Sequence, residues 1–455
     1  MITYCQRDVS RGLYRAFKVL HLKHLTRVSV RMSTSDTAVG LHVIPTRCYF
    51  DETVQVIVRG LLPKQSVKLV AEAKDDKGMI FQSSAVHKAS EHGEVDLNRS
   101  PSLGGTYIGA EPMGLFWSLR PLTPHNKFTW WDASKPVLVD VKVVSHENPG
   151  HVLAKETHQR HFMKEGIQRV VVTDGKIRGT LFIPPGPGPF PGVVDLYTLG
   201  GGPSEPRASL LANKGFVVLA LAFYRYKDLP KKVDKLDLEY FEEGIRFLQK
   251  QPKVKGSGVG VISISKSGDL ALSMASFLTG IKAVVTVNGC CACTVFPLHY
   301  KGTVTPILPA DPDKVILTEQ GLLDISKAMD DPAANENLAS VIPVERAHDC
   351  NFMFVASEDD MNWDSVGFAE LAAQRLRDSG KENFEIVRYP KAGHFVDVPY
   401  MPFYPSGIHA AVGKVVAFGG EAKTNAHAQV DLWGRVQEFF RKHLDTDYAQ
   451  HKAKL

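Results

Sequence analysis

Six cysteines in 455 residues are too few and too scattered for a disulfide framework. Of Cys5, Cys48, Cys290, Cys291, Cys293 and Cys350, only Cys290 and Cys293 stand at CxxC spacing, in the cluster Cys290-Cys291-Ala292-Cys293, and no histidines accompany them at zinc-ligand spacing. They are therefore expected to be reduced, buried thiols, with no metal and no cofactor implied. Also missing is any run of about 18 uninterrupted apolar residues, which argues against a membrane-spanning helix. With 44% apolar residues, 37 Gly and 27 Pro, the composition excludes collagen-like and wholly disordered chains. Acidic residues are scarce in one place only. Residues 1–31 hold seven bases (Arg7, Arg11, Arg15, Lys18, Lys23, Arg27 and Arg31) against Asp8. The formal charge of +5 is thus a leader of +6 on a body of −1, and a nucleic-acid partner is not implied.

Wound as a helix, the leader puts Val9, Leu13, Phe17 and Leu20 on one side and Arg7, Arg11, Arg15 and Lys18 on the other. An amphipathic, Arg-rich, acid-poor N-terminus has the composition of a mitochondrial presequence and predicts recognition by a mitochondrial import receptor. The competing readings are a folded surface helix and an extension upstream of a start at Met32. The opposite end closes Ala453-Lys454-Leu455, near the Ser-Lys-Leu address that a peroxisomal receptor reads. The compartment expected is therefore the mitochondrial matrix or the peroxisome, ahead of the cytosol.

Residues 40–162 read as a small antiparallel β-sandwich. Val54–Val58, Val67–Ala71 and Val137–Val143 alternate apolar and polar positions, and turn residues such as Asp76-Lys77-Gly78 separate the runs. Trp117, Trp130 and Trp131 are expected in a core or an interface. The pattern changes over 166–445. Asp174-Gly175 joins Val170–Val172 to Thr180–Ile183 as a hairpin. Buried runs at 192–197, 215–223, 259–265, 282–288, 352–356 and 384–389 then alternate with helical segments at 207–214, 238–250, 269–278 and 366–378. That alternation predicts a mainly parallel, doubly wound sheet. Opened by a hairpin, it is the arrangement of an α/β-hydrolase. Residues 446–455 read as a polar tail.

Ser265 stands where a strand, Val259–Ile264, runs into a helix. A nucleophile on that sharp turn is exposed above the sheet with a helix N-terminus behind it. The usual pattern G-x-S-x-G has small residues flanking the serine; here they are Ser263 and Ser267, followed by Gly268. The partners of such a nucleophile come in the order acid, then His, after later strands. Ser357-Glu358-Asp359-Asp360-Met361-Asn362-Trp363 follows one strand, and Gly393-His394-Phe395 follows the next.

Longer motifs carry a resemblance. Ser265-Lys266 and Leu272–Leu278, Glu239–Glu243, Ile342–Ala347, Asp359–Trp363, Phe418-Gly419-Gly420-Glu421, Gly104-Gly105 and Glu111–Leu115 are similar to the type I acyl-CoA thioesterases. That family is grouped with the bile acid-CoA:amino acid N-acyltransferases. The resemblance spans about residues 40–445 and implies hydrolysis of medium- or long-chain fatty acyl-CoA. It places the nucleophile on Ser265, the base on His394 and the acid on Asp360, the second Asp of its pair. Met361 stands where the family has His. The bile-acid-conjugating relatives carry Cys at the nucleophile, so Ser265 favours water as acceptor.

The oxyanion is expected on the Lys266 N–H and a second N–H from the loop Thr198-Leu199-Gly200-Gly201-Gly202, at Leu199 or Gly200. That loop lacks the lysine of a phosphate-binding GxxxxGK[ST] motif. Lys266, Arg207, Arg225, Lys227, Lys231 and Lys232 are the bases available to CoA phosphates, without assignment of any contact. Amino-acid conjugation and a catalytically disabled acyl-CoA-binding protein are the alternatives to hydrolysis. The two addresses make a first prediction. In imaging with a free C-terminus, mitochondrial signal is expected from the full-length form and not from a Met32-started one; peroxisomal signal from both would remove the leader from the account.

Overall fold

In a computed structural model of the chain, residues 38–445 and Tyr448 are described. The basic leader and the Ala453-Lys454-Leu455 terminus lie outside the described residues. Between residues 40 and 161 two sheets face each other. Gly40–Ile44, Gln55–Arg59 and Val95–Asp96 form one. The other orders Arg47–Tyr49, Val152–His161, Val137–Ser145, Ser66–Lys74, Ile80–Lys88 and Arg120–Pro121. All pairs are antiparallel except that of Arg47–Tyr49 with Val152–His161. Along Ser66–Lys74 the residues Val67, Leu69, Ala71 and Ala73 are buried and their neighbours partly exposed. The period-2 pattern thus becomes one wet and one dry face.

The second sheet has eight strands: β1 (Gln168–Val172), β2 (Arg178–Ile183), β3 (Phe190–Leu196), β4 (Val217–Ala222), β5 (Val254–Ile264), β6 (Ile281–Val287), β7 (Asn351–Ser357) and β8 (Phe384–Tyr389). Their spatial order is β1-β2-β4-β3-β5-β6-β7-β8. The β1–β2 and β2–β4 pairs are antiparallel and the rest parallel. A hairpin followed by a doubly wound parallel sheet is the α/β-hydrolase fold. The strands are mostly apolar, and β4 reads VVLALA with all six residues buried. Helices cover both faces: α1 (Glu205–Asn213), α2 (Leu238–Gln249), α3 (Ser267–Phe277), α4 (Ser365–Asp378) and α5 (Ala422–Leu444). No helix among the described residues is long and apolar enough to cross a membrane.

Two features were not anticipated. Residues 289–350 make a long excursion between β6 and β7 built on strands of two or three residues. A hairpin, Ser406–Ile408 with Val415–Ala417, stands over the C-terminal edge of the sheet. The core is also shared between the two parts. Val137 and Val139 of the sandwich belong to the same buried cluster as Phe216 and as Val436 and Phe440 of α5. At that junction buried Asp51 accepts from Lys214 at 2.6 Å and from the Trp433 indole at 2.9 Å.

Inside the sandwich His158 is fully buried, with Nε2 3.4 Å from the Cys48 thiol and its ring edge-on to Phe116. Burial, reinforced by the Arg160 charge, lowers its pKa to about 4; burial also lowers that of His87. Both are held neutral, so the stability they permit is present above pH 6.5 and is lost as pH falls toward 4. Urea unfolding across this range is expected to show a loss of roughly 2–3 kcal/mol attributable to His158. A His158→Gln variant should have the shallower slope; an identical slope would refute the assignment.

Candidate active site

Ser265 lies in the turn from β5 to α3 with φ +62°, a left-handed conformation that costs a non-glycine residue strain. The turn is tied on both sides: the Ser265 N–H donates to the Val287 carbonyl at 2.9 Å, and the Gly268 N–H to the Ser265 carbonyl at 2.8 Å. The two serines in place of elbow glycines fit. Ser263 is buried with its hydroxyl donating to the Val285 carbonyl of β6 at 3.1 Å. The Ser267 hydroxyl accepts from the Ile264 N–H at 3.1 Å and lies 2.9 Å from the Leu196 carbonyl. The close approach falls one residue later. A Cβ on Gly268 would sit 2.5 Å from the Gly289 Cα, so the start of α3 presses on the backbone after β6.

His394 and Asp360 arrive from the ends of β8 and β7. Ser265 Oγ is 2.8 Å from His394 Nε2, and His394 Nδ1 is 2.8 Å from Asp360 Oδ2. All three residues are buried. The Asp360 carboxylate also accepts from the Ser365 hydroxyl at 2.5 Å and the Asn362 N–H at 2.8 Å, which fixes it against rotation. Its neighbour Asp359 instead accepts from the Gly420 N–H at 2.7 Å. The imidazole is walled by Trp363, with ring centroids 5.5 Å apart, and by Phe395 at 4.9 Å.

Of the oxyanion candidates, the Gly200 N–H lies 3.3 Å from the Thr198 hydroxyl. The N–H groups of Lys266 and Leu199 find no acceptor among the described residues. The Leu199 carbonyl accepts from the Tyr224 hydroxyl, and Gly201, at φ +73°, leaves no room for a Cβ against the Tyr224 ring. A cavity of about 250 Å³ opens on Ser265 and His394 and reaches Leu199 and Gly200. His409, on the hairpin above, lines it, and burial beside His394 holds its pKa near 4.

Two of the six bases named as available to CoA phosphates are closed. Lys266 Nζ is buried on both Asp269 carboxylate oxygens at 2.7 and 2.8 Å. Arg207 is buried on Asp195 at 2.6 and 2.9 Å. Arg225, Lys227, Lys231 and Lys232 are exposed. Cys290, Cys291 and Cys293 are buried, and burial raises the pKa of Cys290 and Cys293. Trp117 is buried as expected, but Trp131 is 57% exposed at a cavity rim.

A residue that sequence reasoning missed ties these loops. Asn288, at the end of β6 with φ +49°, is fully buried. Its Nδ2 lies 2.8 Å from the His394 carbonyl, 3.2 Å from that of Gly393 and 3.0 Å from the Ser357 hydroxyl. Its Oδ1 accepts from the Ser357 N–H at 2.7 Å, and its own carbonyl accepts from the Trp363 indole at 2.9 Å. An Asn directly after a buried strand was the only trace in the sequence.

Fold and strand-end residues together define an α/β-hydrolase. Within that class the chain belongs to the acyl-CoA thioester hydrolase/BAAT family. The model of the family's N-terminal region matches residues 51–174, and that of the BAAT/acyl-CoA thioester hydrolase C-terminal region matches 236–446. The chain is 46% identical over 400 residues to human acyl-coenzyme A thioesterase 2, mitochondrial, covering 88% of this chain and 83% of the relative. Identity to human acyl-coenzyme A thioesterase 1 is also 46%, over 88% and 95% of the two chains. Mouse acyl-coenzyme A thioesterase 2, mitochondrial, is 44% identical over 97% of this chain and 96% of its own.

The Asn288 contacts generate a prediction. Truncation orphans several buried polar groups at once, so Asn288→Ala is expected to cost about 2–4 kcal/mol in urea unfolding. It should also lower the kcat of ester hydrolysis more than it raises KM. A variant as stable and as fast as wild type would show that the amide is not a strut.

Proposed function

We propose that the chain hydrolyses fatty acyl-CoA thioesters to free acid and CoA, with Ser265 as nucleophile, His394 as general base and Asp360 as the group that orients it. The observation that carries this reading is the unbroken line of two 2.8 Å contacts from Ser265 Oγ through His394 to Asp360. Oγ attacks the thioester carbonyl as His394 Nε2 takes its proton. Asp360 keeps the proton on Nδ1 and stabilises the imidazolium. The tetrahedral oxyanion is received by the Lys266 N–H and, from the loop after β3, the Leu199 N–H, both without another acceptor among the described residues. The C–S bond then breaks, and CoA leaves with the proton from His394. Water, deprotonated by His394, cleaves the acyl-serine ester, and Ser265 recovers its proton.

The names of the relatives support acyl-CoA as substrate, and Ser265 in place of a cysteine supports water over an amine as acceptor. For the compartment we favour the mitochondrial matrix over the peroxisome. The match to the mouse mitochondrial relative covers 97% of this chain, so it includes part of residues 1–31.

The test is release of CoA from palmitoyl-CoA. Ser265→Ala and His394→Ala are expected to lower kcat by about four to six orders of magnitude, and Asp360→Asn by about 10⁴. Full activity in a folded Ser265→Ala would sink the nucleophile assignment. Binding of palmitoyl-CoA without turnover by wild type would leave only a binding protein. Amide formation with glycine or taurine present would make the chain a transferase.

A further inference from the structure

Lys127 belongs to the loop between Arg120–Pro121 and Val137–Ser145 of the sandwich, yet its side chain ends beside the proposed catalytic residues. Its ammonium lies 3.9 Å from the ring centroid of Phe395, the neighbour of His394. It is 4.6 Å from the Tyr197 ring and 5.4 Å from that of Tyr404. No carboxylate among the described residues comes within ion-pair distance of it, and none accepts a hydrogen bond from it. Asp397 is occupied by the Tyr197 hydroxyl at 2.7 Å and the Val398 N–H at 2.9 Å. Ring faces attract a cation but do not replace three hydrogen-bond acceptors. This lysine therefore presents unused donors in a largely dry setting.

The position is a neck. Lys127, Thr198 and Gly200 line both the cavity that holds Ser265 and a larger one of about 710 Å³. At the far side of the larger cavity stand the exposed Trp131 and the Arg225 guanidinium, whose only hydrogen bond among the described residues is to the Lys231 carbonyl at 3.1 Å. Arg169, also in its wall, is neutralised by Glu205 at 2.7 and 2.8 Å.

We propose that the larger cavity receives the CoA arm of the substrate, and that Lys127 donates at the neck to an amide carbonyl of the pantetheine. The proposal rests on the thioesterase reading and names the subsite that reading leaves open. A hydrocarbon chain lying against Lys127 would offer no acceptor and would strip the ammonium of water, which is unfavourable. The pantetheine arm carries a carbonyl a few bonds beyond the thioester sulfur. It leads to phosphates that suit Arg225 and to an adenine that suits the open face of Trp131. The acyl chain then leaves Ser265 on the side of Ile408 and Phe418, which line the smaller cavity. Lys127 is on this account a specificity residue supplied by the sandwich.

Steady-state hydrolysis of palmitoyl-CoA and of a p-nitrophenyl ester lacking CoA, with free CoA as inhibitor, tests it. Lys127→Met is expected to raise KM for palmitoyl-CoA and weaken inhibition by CoA about tenfold, since a charged hydrogen bond is lost. Its kcat/KM for the p-nitrophenyl ester should fall much less. Lys127→Arg should restore most of the preference, and Arg225→Ala, at an exposed position, should also weaken inhibition by CoA.

Burial and the facing charges of Arg207 and Lys77 lower the Lys127 pKa to about 8 against the pull of Asp397. The Tyr197 and Tyr404 phenols are raised and stay protonated. In wild type KM for palmitoyl-CoA should therefore rise above pH 8, a limb absent from Lys127→Met. Equal losses on both substrates, or CoA inhibition of Lys127→Met and Arg225→Ala as strong as that of wild type, would overturn the subsite. A wild type that cleaves the ester but releases no CoA would instead overturn the thioesterase reading itself.

Discussion

The arrangement at the C-terminal edge of the sheet hangs on one buried side-chain amide. Asn288 leaves β6 in a left-handed conformation that aspartate and asparagine tolerate better than most residues. From there it holds the backbone of the His394 loop, the end of the strand that leads to Asp360, and the indole that walls the imidazole. The preceding residue, Val287, receives the Ser265 N–H. Three loops far apart in sequence are thereby referred to one strand end. In a water-free interior such a network is stable only when its members are satisfied, and a fully bonded one admits a single geometry. Oγ, imidazole and carboxylate consequently stand in line.

The turn at Ser265 shows how a family pattern can be met by other means. Strain at Ser265 is sustained because hydrogen bonds on both sides over-determine the turn, and because the Ser267 hydroxyl occupies a backbone N–H that would otherwise be orphaned. What the turn cannot accept is bulk where α3 meets the residue after β6. Gly268 and Gly289 face each other there, backbone to backbone. The steric demand usually assigned to the second glycine of the pattern is displaced by one position. Serines at 263 and 267 therefore leave the turn intact, which removes the physical argument for a disabled elbow.

The eight strands and α1 to α4 were legible because each is long enough to carry a periodic pattern, and the hairpin because Asp174-Gly175 fixes its turn; α5 (Ala422–Leu444), the longest helix among the described residues, was not read from the sequence. The excursion over 289–350 was not, since strands of two or three residues have no period and owe their pairing to distant partners. Ser265 and His394 were singled out by their place at strand ends, and the structure brings their side chains together. The choice between Asp359 and Asp360 could not come from spacing; it follows from the Gly420 N–H, which occupies the first carboxylate and leaves the second to the imidazole. Asn288 and Lys127 were invisible for a related reason. One looks like any residue closing a strand and the other like any lysine in a polar loop, and only the tertiary structure reveals what each meets.

Lys127 also alters the meaning of the sandwich. A module that merely accompanied the hydrolase part would need no core in common with it and no residue in its site. Here the hydrophobic cluster runs from Val137 and Val139 through to α5, and Asp51 anchors both Lys214 and Trp433 across the junction. That seam fixes the loop bearing Lys127 relative to Phe395 and so relative to His394. The neutral charge balance of the body fits this design. Of its buried cations, Arg207 and Lys266 are cancelled within hydrogen-bonding distance and serve the fold, while Arg160 rests on the Phe50 and Glu52 backbone carbonyls. Lys127, whose ammonium has no carboxylate partner among the described residues, lies at the neck between the two cavities. An uncompensated charge in that place is costly to the free protein, and the cost is recovered only when an acceptor arrives with the substrate.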